Sequence, residues 1–157
     1  MGIYIGIDPG VNGGYAVIEE SISDGSITAD AQPWDNANFL DMISYASDKG
    51  GAIVACVEKV ASMPHQGSVS IFTFGKAAGY IEGALSALGI PYQLVPPRTW
   101  KKEFSLGAVK DDSIAVAEHL FPDVNLLKNP RCRKKHDGMA EALLIAEYAR
   151  RRMRTSR

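Results

Sequence analysis

MGIYIGIDPGVNGGY, residues 1–15, is the stretch from which the rest of the chain can be read. Ile3, Tyr4, Ile5 and Ile7 make an apolar run of strand length, and it stops at Asp8 because Pro9, Gly10 and the Gly13-Gly14 pair break any regular continuation. A buried strand thus delivers a carboxylate at its exit, beside glycines that let other backbone come close. Asp8 is open to two readings there: a turn former ahead of Pro-Gly, or a ligand at a metal or phosphate site. A second stretch of the same design favours the ligand. Residues 52–57, AIVACV, are apolar almost without alternation, as expected of a central strand covered on both faces, and the run ends at Glu58.

Beyond this opening, residues 16–20 and 26–31 read as two strands joined through Asp24-Gly25, a hairpin signal, so the sheet begins as an antiparallel meander. Asn36 can cap a helix running to about Asp48, with Phe39, Leu40, Ile43 and Ala46 or Ser47 as its inner stripe and Gly50-Gly51 as its stop. Beyond Glu58, MPHQG (residues 63–67) reads as a loop, and residues 69–88 as about five turns of helix. Gly75, Gly79 and Gly83 lie on one stripe of that helix. Each costs roughly 1 kcal/mol against alanine, so the stripe calls for close approach of other backbone, either the sheet below or a second subunit. Residues 90–95 form a further strand, ended by Pro96-Pro97. RTWKKEF (residues 98–104) then gathers Arg98, Lys101 and Lys102 around Trp100. Lys110, Asp111 and Asp112 open a helix to about Phe121. Residues 136–152, HDGMAEALLIAEYARRR, form a last strong helix that buries Ala140, Leu143, Leu144, Ala146 and Tyr148. The order is three strands, helix, strand, long helix, strand and two helices, which makes an α/β protein with a mixed sheet covered by helices.

Length and composition fit one domain spanning residues 1–157. The 46% apolar and 22% charged content is ordinary for a globular chain. No membrane segment or leader is read, so the expected location is the cytoplasm. Cys56 in an apolar run and Cys132 in a basic one read as reduced thiols. The net charge of −1 hides an asymmetry: residues 1–97 hold 3 Lys or Arg against 10 Asp or Glu, whereas residues 98–157 hold 14 against 8. Arg131, Arg133, Lys134 and Lys135 crowd the turn before the last helix, and that half is the candidate to face a polyanion.

Asp137 and Glu141 are four apart and share one face of the last helix. Like charges at that spacing cost a few tenths of a kcal/mol. If the strands ending at Asp8 and Glu58 are parallel neighbours, a helix laid across their ends could bring four carboxylates together. Such a cluster could not stay ionised without cations, and hard oxygen ligands suit Mg²⁺ or Mn²⁺. Two such ions can activate a water and stabilise the leaving oxygen of a phosphodiester.

A strand ending in IGIDPG, a second ending in VEKV, the PPRTWKK segment and the closing HDGMAEALLIAEY together resemble the RuvC-type Holliday junction resolvases, in particular their short bacteriophage-type relatives. The resemblance covers nearly the whole chain. It implies a ribonuclease H-like fold, with a five-stranded mixed sheet and helices on both faces. It also implies a metal-dependent endodeoxyribonuclease that resolves four-way junctions and other branched DNA by paired incision, working as a homodimer with two ions per site. Asp8, Glu58 and Glu141 match the family's acidic positions. The remaining one falls on Gly138, so Asp137 takes its place, with His136 as the other option. The resemblance puts Lys101, Lys102 and Lys110 near the scissile phosphate, Lys102 and Lys110 as catalytic candidates, and Arg98, Lys101 and Lys102 on the DNA. Phe72 and Phe74 could stack on unpaired bases at the branch or fill the helix core. The rival readings are a non-catalytic branched-DNA binder on the same fold, and an actin-like ATPase, for which the chain is too short to supply a second lobe.

Overall fold

The computed structural model describes residues 1–59, 67–107 and 110–155, with side chains at all of these but 110, 111, 154 and 155. The chain runs β1 (Gly2–Asp8), β2 (Gly14–Glu20), β3 (Ile27–Pro33), α1 (Asn36–Asp48), β4 (Ala52–Glu58), α2 (Ser68–Ala87), β5 (Tyr92–Val95), α3 (Pro97–Glu103), α4 (Lys110–Leu120) and α5 (Asp137–Thr155). The strands form one sheet in the order β3-β2-β1-β4-β5. β1, β2 and β3 pair antiparallel, whereas β4 runs parallel to both β1 and β5. This is the mixed five-stranded sheet that the sequence implies. β1 is central, and all its residues except Asp8 are buried.

Side chains alternate across the strands, and each face of the sheet has its own core. Ile3, Ile5 and Ile7 of β1, with Ala55 and Val57 of β4, pack against Phe39 and Ile43 of α1 and Ile81 and Leu85 of α2. Tyr4 and Cys56 point the other way, into a core with Trp100 of α3, Ala117 of α4 and the apolar residues of α5. α5 lies directly on β1. A Cβ at Gly6 would stand 2.0 Å from the Ala142 carbonyl oxygen and 2.2 Å from the Ala146 nitrogen, so only glycine allows the approach. From Gly138 to Ala149 every residue of α5 except Glu141 is buried. The helix is enclosed on all sides, more deeply than the inner stripe read from its sequence.

Three details differ from the sequence reading. α1 is capped by Asp35, whose carboxylate accepts from the Asn38 N–H at 2.9 Å, while the Asn36 side-chain oxygen accepts from the Trp34 indole. Leu40 is 37% exposed and lies off the inner stripe, which consists of Phe39, Ile43 and Ala46. Three helices follow β5 and not two, because Pro97 starts α3 in its first turn, where a missing N–H costs nothing, and Lys101 and Lys102 complement the dipole in its last turn. The loop expected at residues 63–67 lies outside the described residues apart from Gly67. Among the described residues no helix is long and apolar enough to cross a membrane.

Candidate metal centre

The register between β1 and β4 pairs Ile7 with Val57, so the next residues, Asp8 and Glu58, leave the same edge of the sheet side by side. By alternation both turn toward the α5 face. α5 answers with Glu141, the one residue of its enclosed stretch that is not buried. Ligand atoms of Asp8, Glu58 and Glu141 lie within 4.8 Å of one another, close enough to share a cation. Three elements that meet only in the folded chain thus bring three acidic groups to one point.

The electrostatics of this point are set by burial first, to which the neighbouring carboxylates add. Burial, followed by Glu58, Glu141 and Asp137, pushes the Asp8 carboxyl up to about 8, against a smaller downward pull from Lys101. Burial also raises Glu58. The Trp100 N–H opposes that rise, Glu141 adds to it, and Lys101 again pulls down. A carboxyl that holds its proton at neutral pH, among other carboxyls, is a site short of positive charge. The oxygen-only donor set fits a hard divalent ion such as Mg²⁺ or Mn²⁺.

Asp137 stands outside the tight group of three but acts on Asp8 through space. It is the first residue of α5 and half-buried. His136 is engaged elsewhere, since its Nδ1 accepts from the Met139 N–H at 3.2 Å and so caps α5. Gly138 is glycine for a steric reason, since a Cβ there would lie 2.2 Å from the Asn12 carbonyl oxygen in the β1–β2 turn. No side chain fits that position without a shift of backbone, so an acidic residue cannot stand there, and the neighbouring one is Asp137.

Of the basic candidates whose side chains are described, Lys101 reaches the cluster, with its Nζ 3.1 Å from Glu141 Oε1. Lys102 and Arg98 are exposed on α3, and the side chain of Lys110 lies outside the described residues. Arg131, Arg133, Lys134 and Lys135 are all exposed on the turn that leads into α5. That turn is a built loop. It is closed by a bridge between Leu127 and Lys135 and held by the Asn129 side chain, which accepts from the Arg131 N–H at 3.0 Å. Lys135 is ion-paired with Glu118.

Phe72 is 69% exposed on α2. Phe74 is half-buried and lines an apolar groove of about 240 Å³ with Gly10, Val11 and Trp34. Neither belongs to the two cores. Gly75, Gly79 and Gly83 have nothing within 4 Å of a Cβ built on them, among the described residues. The stripe therefore faces outward, away from the sheet. Sequence reasoning gave Trp100 no role, yet it is fully buried and its indole N–H donates to Glu58 Oε2 at 2.8 Å. The only signal was a tryptophan set among cations just after a strand.

No protein-family model matches the chain, and none of the curated proteins does. Solved structures do. The chain is similar to RuvC of Thermus thermophilus, at 19% identity and a TM-score of 0.65, over 98% of this chain and 96% of that one. The same holds for T. thermophilus RuvC in complex with a Holliday junction substrate, at 15% identity and a TM-score of 0.61, over 96% of each chain. The resolvase of Fowlpox virus, in complex with its substrate Holliday junction DNA, is 17% identical with a TM-score of 0.51, over 94% of this chain and 98% of that one. At such identities the likeness is one of fold. The chain has the RuvC-type, ribonuclease H-like fold.

Proposed function

We propose that the chain, as a single nuclease domain over residues 1–157, is a divalent-metal-dependent endodeoxyribonuclease that resolves four-way DNA junctions and related branched DNA. The observation that carries this reading is the convergence of Asp8, Glu58 and Glu141 within 4.8 Å at one sheet edge, on a fold shared with proteins solved with Holliday junction DNA. Asp8, Glu58 and Glu141, with Asp137 beside them, would hold two Mg²⁺ or Mn²⁺ ions. Such ions supply an activated water and stabilise the leaving oxygen of a phosphodiester.

The chain's own residues do the rest. Asp8, whose value is raised first by burial and then by Glu58, Glu141 and Asp137, would give up its proton to serve as a ligand. Lys101 balances part of the negative charge at Glu141 and would stand ready to meet a phosphate oxygen beside the ions. Arg98, Lys102 and Lys110 are candidates for the next contacts along the strand. The loop with Arg131, Arg133 and Lys134 follows phosphates with no sequence code, while Lys135 spends part of its charge on Glu118. Phe72 and Phe74 offer ring faces to bases that have lost their partners at the branch. Two copies joined through the outward face of α2 would supply the paired incisions. Such a protein works on DNA in a bacterial or phage-infected cytoplasm.

The test is incubation with labelled four-way, forked and linear duplex DNA, in Mg²⁺ or EDTA. Cutting of branched substrates in Mg²⁺ alone supports the reading. Tight junction binding without cutting in either Mg²⁺ or Mn²⁺ would leave the non-catalytic binder.

A further inference from the structure

We infer that Trp100 is a positioning residue of the metal centre, holding the Glu58 carboxylate through its indole N–H; this rests on the metal reading above. Trp100 is 0% exposed, and its Nε1–H donates to Glu58 Oε2 at 2.8 Å. A buried indole must find an acceptor, and here the acceptor is one of the three clustered carboxylates and not a backbone carbonyl. With one oxygen tied to a rigid ring that packs into the core, that oxygen is held in place before any cation arrives.

The chemistry of the donor matters. A lysine or arginine in this place would neutralise Glu58 and compete with the cation for it. The indole is neutral and has no lone pair in the ring plane with which to bind metal, so it orients the ligand without taking its charge. Lys101, the next residue, spends its charge on Glu141, so adjacent residues of α3 hold two of the three carboxylates by different means.

α3 is itself firmly held. The Leu106 N–H returns to the Lys101 carbonyl at 3.0 Å and the Ser105 N–H to the Lys102 carbonyl at 3.2 Å, a closed helix end with Ser105 at φ +53. Arg151 and Arg152 of α5 pair with Glu103 at 3.6 and 3.4 Å. Trp100 also packs in one core with the apolar residues of α5, and that packing, more than these exposed ion pairs, ties the ring that orients Glu58 to the helix that carries Glu141.

The experiment replaces Trp100 with 3-benzothienylalanine, which keeps the bicyclic shape but has sulfur where the N–H was, and separately makes Trp100→Phe. Mn²⁺ affinity is measured on the full chain without DNA, by titration calorimetry or electron paramagnetic resonance, and Tm is measured alongside. Loss of an outer partner of a metal ligand weakens metal affinity about 10–100-fold. That loss is expected for the isostere with little change in Tm, and for Trp100→Phe with an additional loss of Tm. Ile18→Ala, in the same core but paired with Tyr4, four residues along β1 from Asp8, should lose Tm and keep its Mn²⁺ affinity. The inference is overturned if the isostere binds Mn²⁺ within twofold of the wild type, or if Ile18→Ala loses as much affinity. If the wild-type protein fails to bind Mn²⁺ at all, the metal reading itself falls, and the inference with it.

Discussion

Asp8 enters the folded, cation-free protein with its proton on, and that has a measurable consequence for stability. Its folded value of about 8 lies above the ordinary 3.8, so between those values the folded chain binds a proton that the unfolded chain has released. This contribution is fully present below about pH 4, shrinks as pH rises, and is gone above about 8. It amounts to the order of a few kcal/mol. Glu58, also raised by burial, adds in the same direction. Urea denaturation in EDTA should therefore show the wild type losing ground to Asp8→Asn steadily from pH 5 to 8, and added Mg²⁺ should restore it. A constant difference between the two across that range would mean that Asp8 is ionised throughout. Asp8 and Glu58 were legible as candidate ligands because each ends an apolar run. The role of Trp100 was not, because its acceptor is 42 residues away and only the fold brings the two together.

At the scale of elements, the site depends on how closely α5 approaches the sheet. Gly6 admits the α5 backbone on β1, and Gly138 admits the start of α5 on the β1–β2 turn. Gly6→Ala would force a methyl against main-chain atoms that have no rotamer to change. Its expected cost is about 3 kcal/mol, at the upper end for overpacking, read as a lower urea midpoint at unchanged slope. A cost below about 0.5 kcal/mol would show that α5 can lift off without penalty. The strands and most helices were readable from apolar runs and their stops. The parallel pairing of β1 with β4 entered only as a condition, since register is a property of two segments. α3 was missed because its seven residues are too few for a helical period to appear. The outward direction of the glycine stripe was undecidable, because spacing gives a shared face but not what that face meets.

At the scale of the whole molecule, the proposed assembly and the proposed polyanion-facing side each have a test. Among the described residues a Cβ at Gly79 meets nothing within 4 Å, so Gly79→Leu is expected to fit the monomer and even to stabilise α2, by up to about 0.8 kcal/mol through helix propensity. If α2 joins two copies, the same change blocks their approach: sedimentation should move from dimer to monomer, and paired incisions should become single nicks. A wild type that sediments as a monomer at micromolar concentration and still cuts in pairs would refute the dimer. Phosphate contacts displace counterions, so junction affinity should fall steeply with salt. Neutralising Arg131, Arg133 and Lys134 together should reduce the slope of log affinity against log salt by about three. An unchanged slope would leave that loop as solvated surface. Whether one carboxylate cluster both binds cation and cuts DNA is decided by Asp8→Asn, whose cutting of a labelled four-way junction in Mg²⁺ is to be measured beside its binding of the same junction. Binding close to that of the wild type with no detectable cutting is expected, whereas near-normal turnover would remove Asp8 from the chemistry and the metal centre with it.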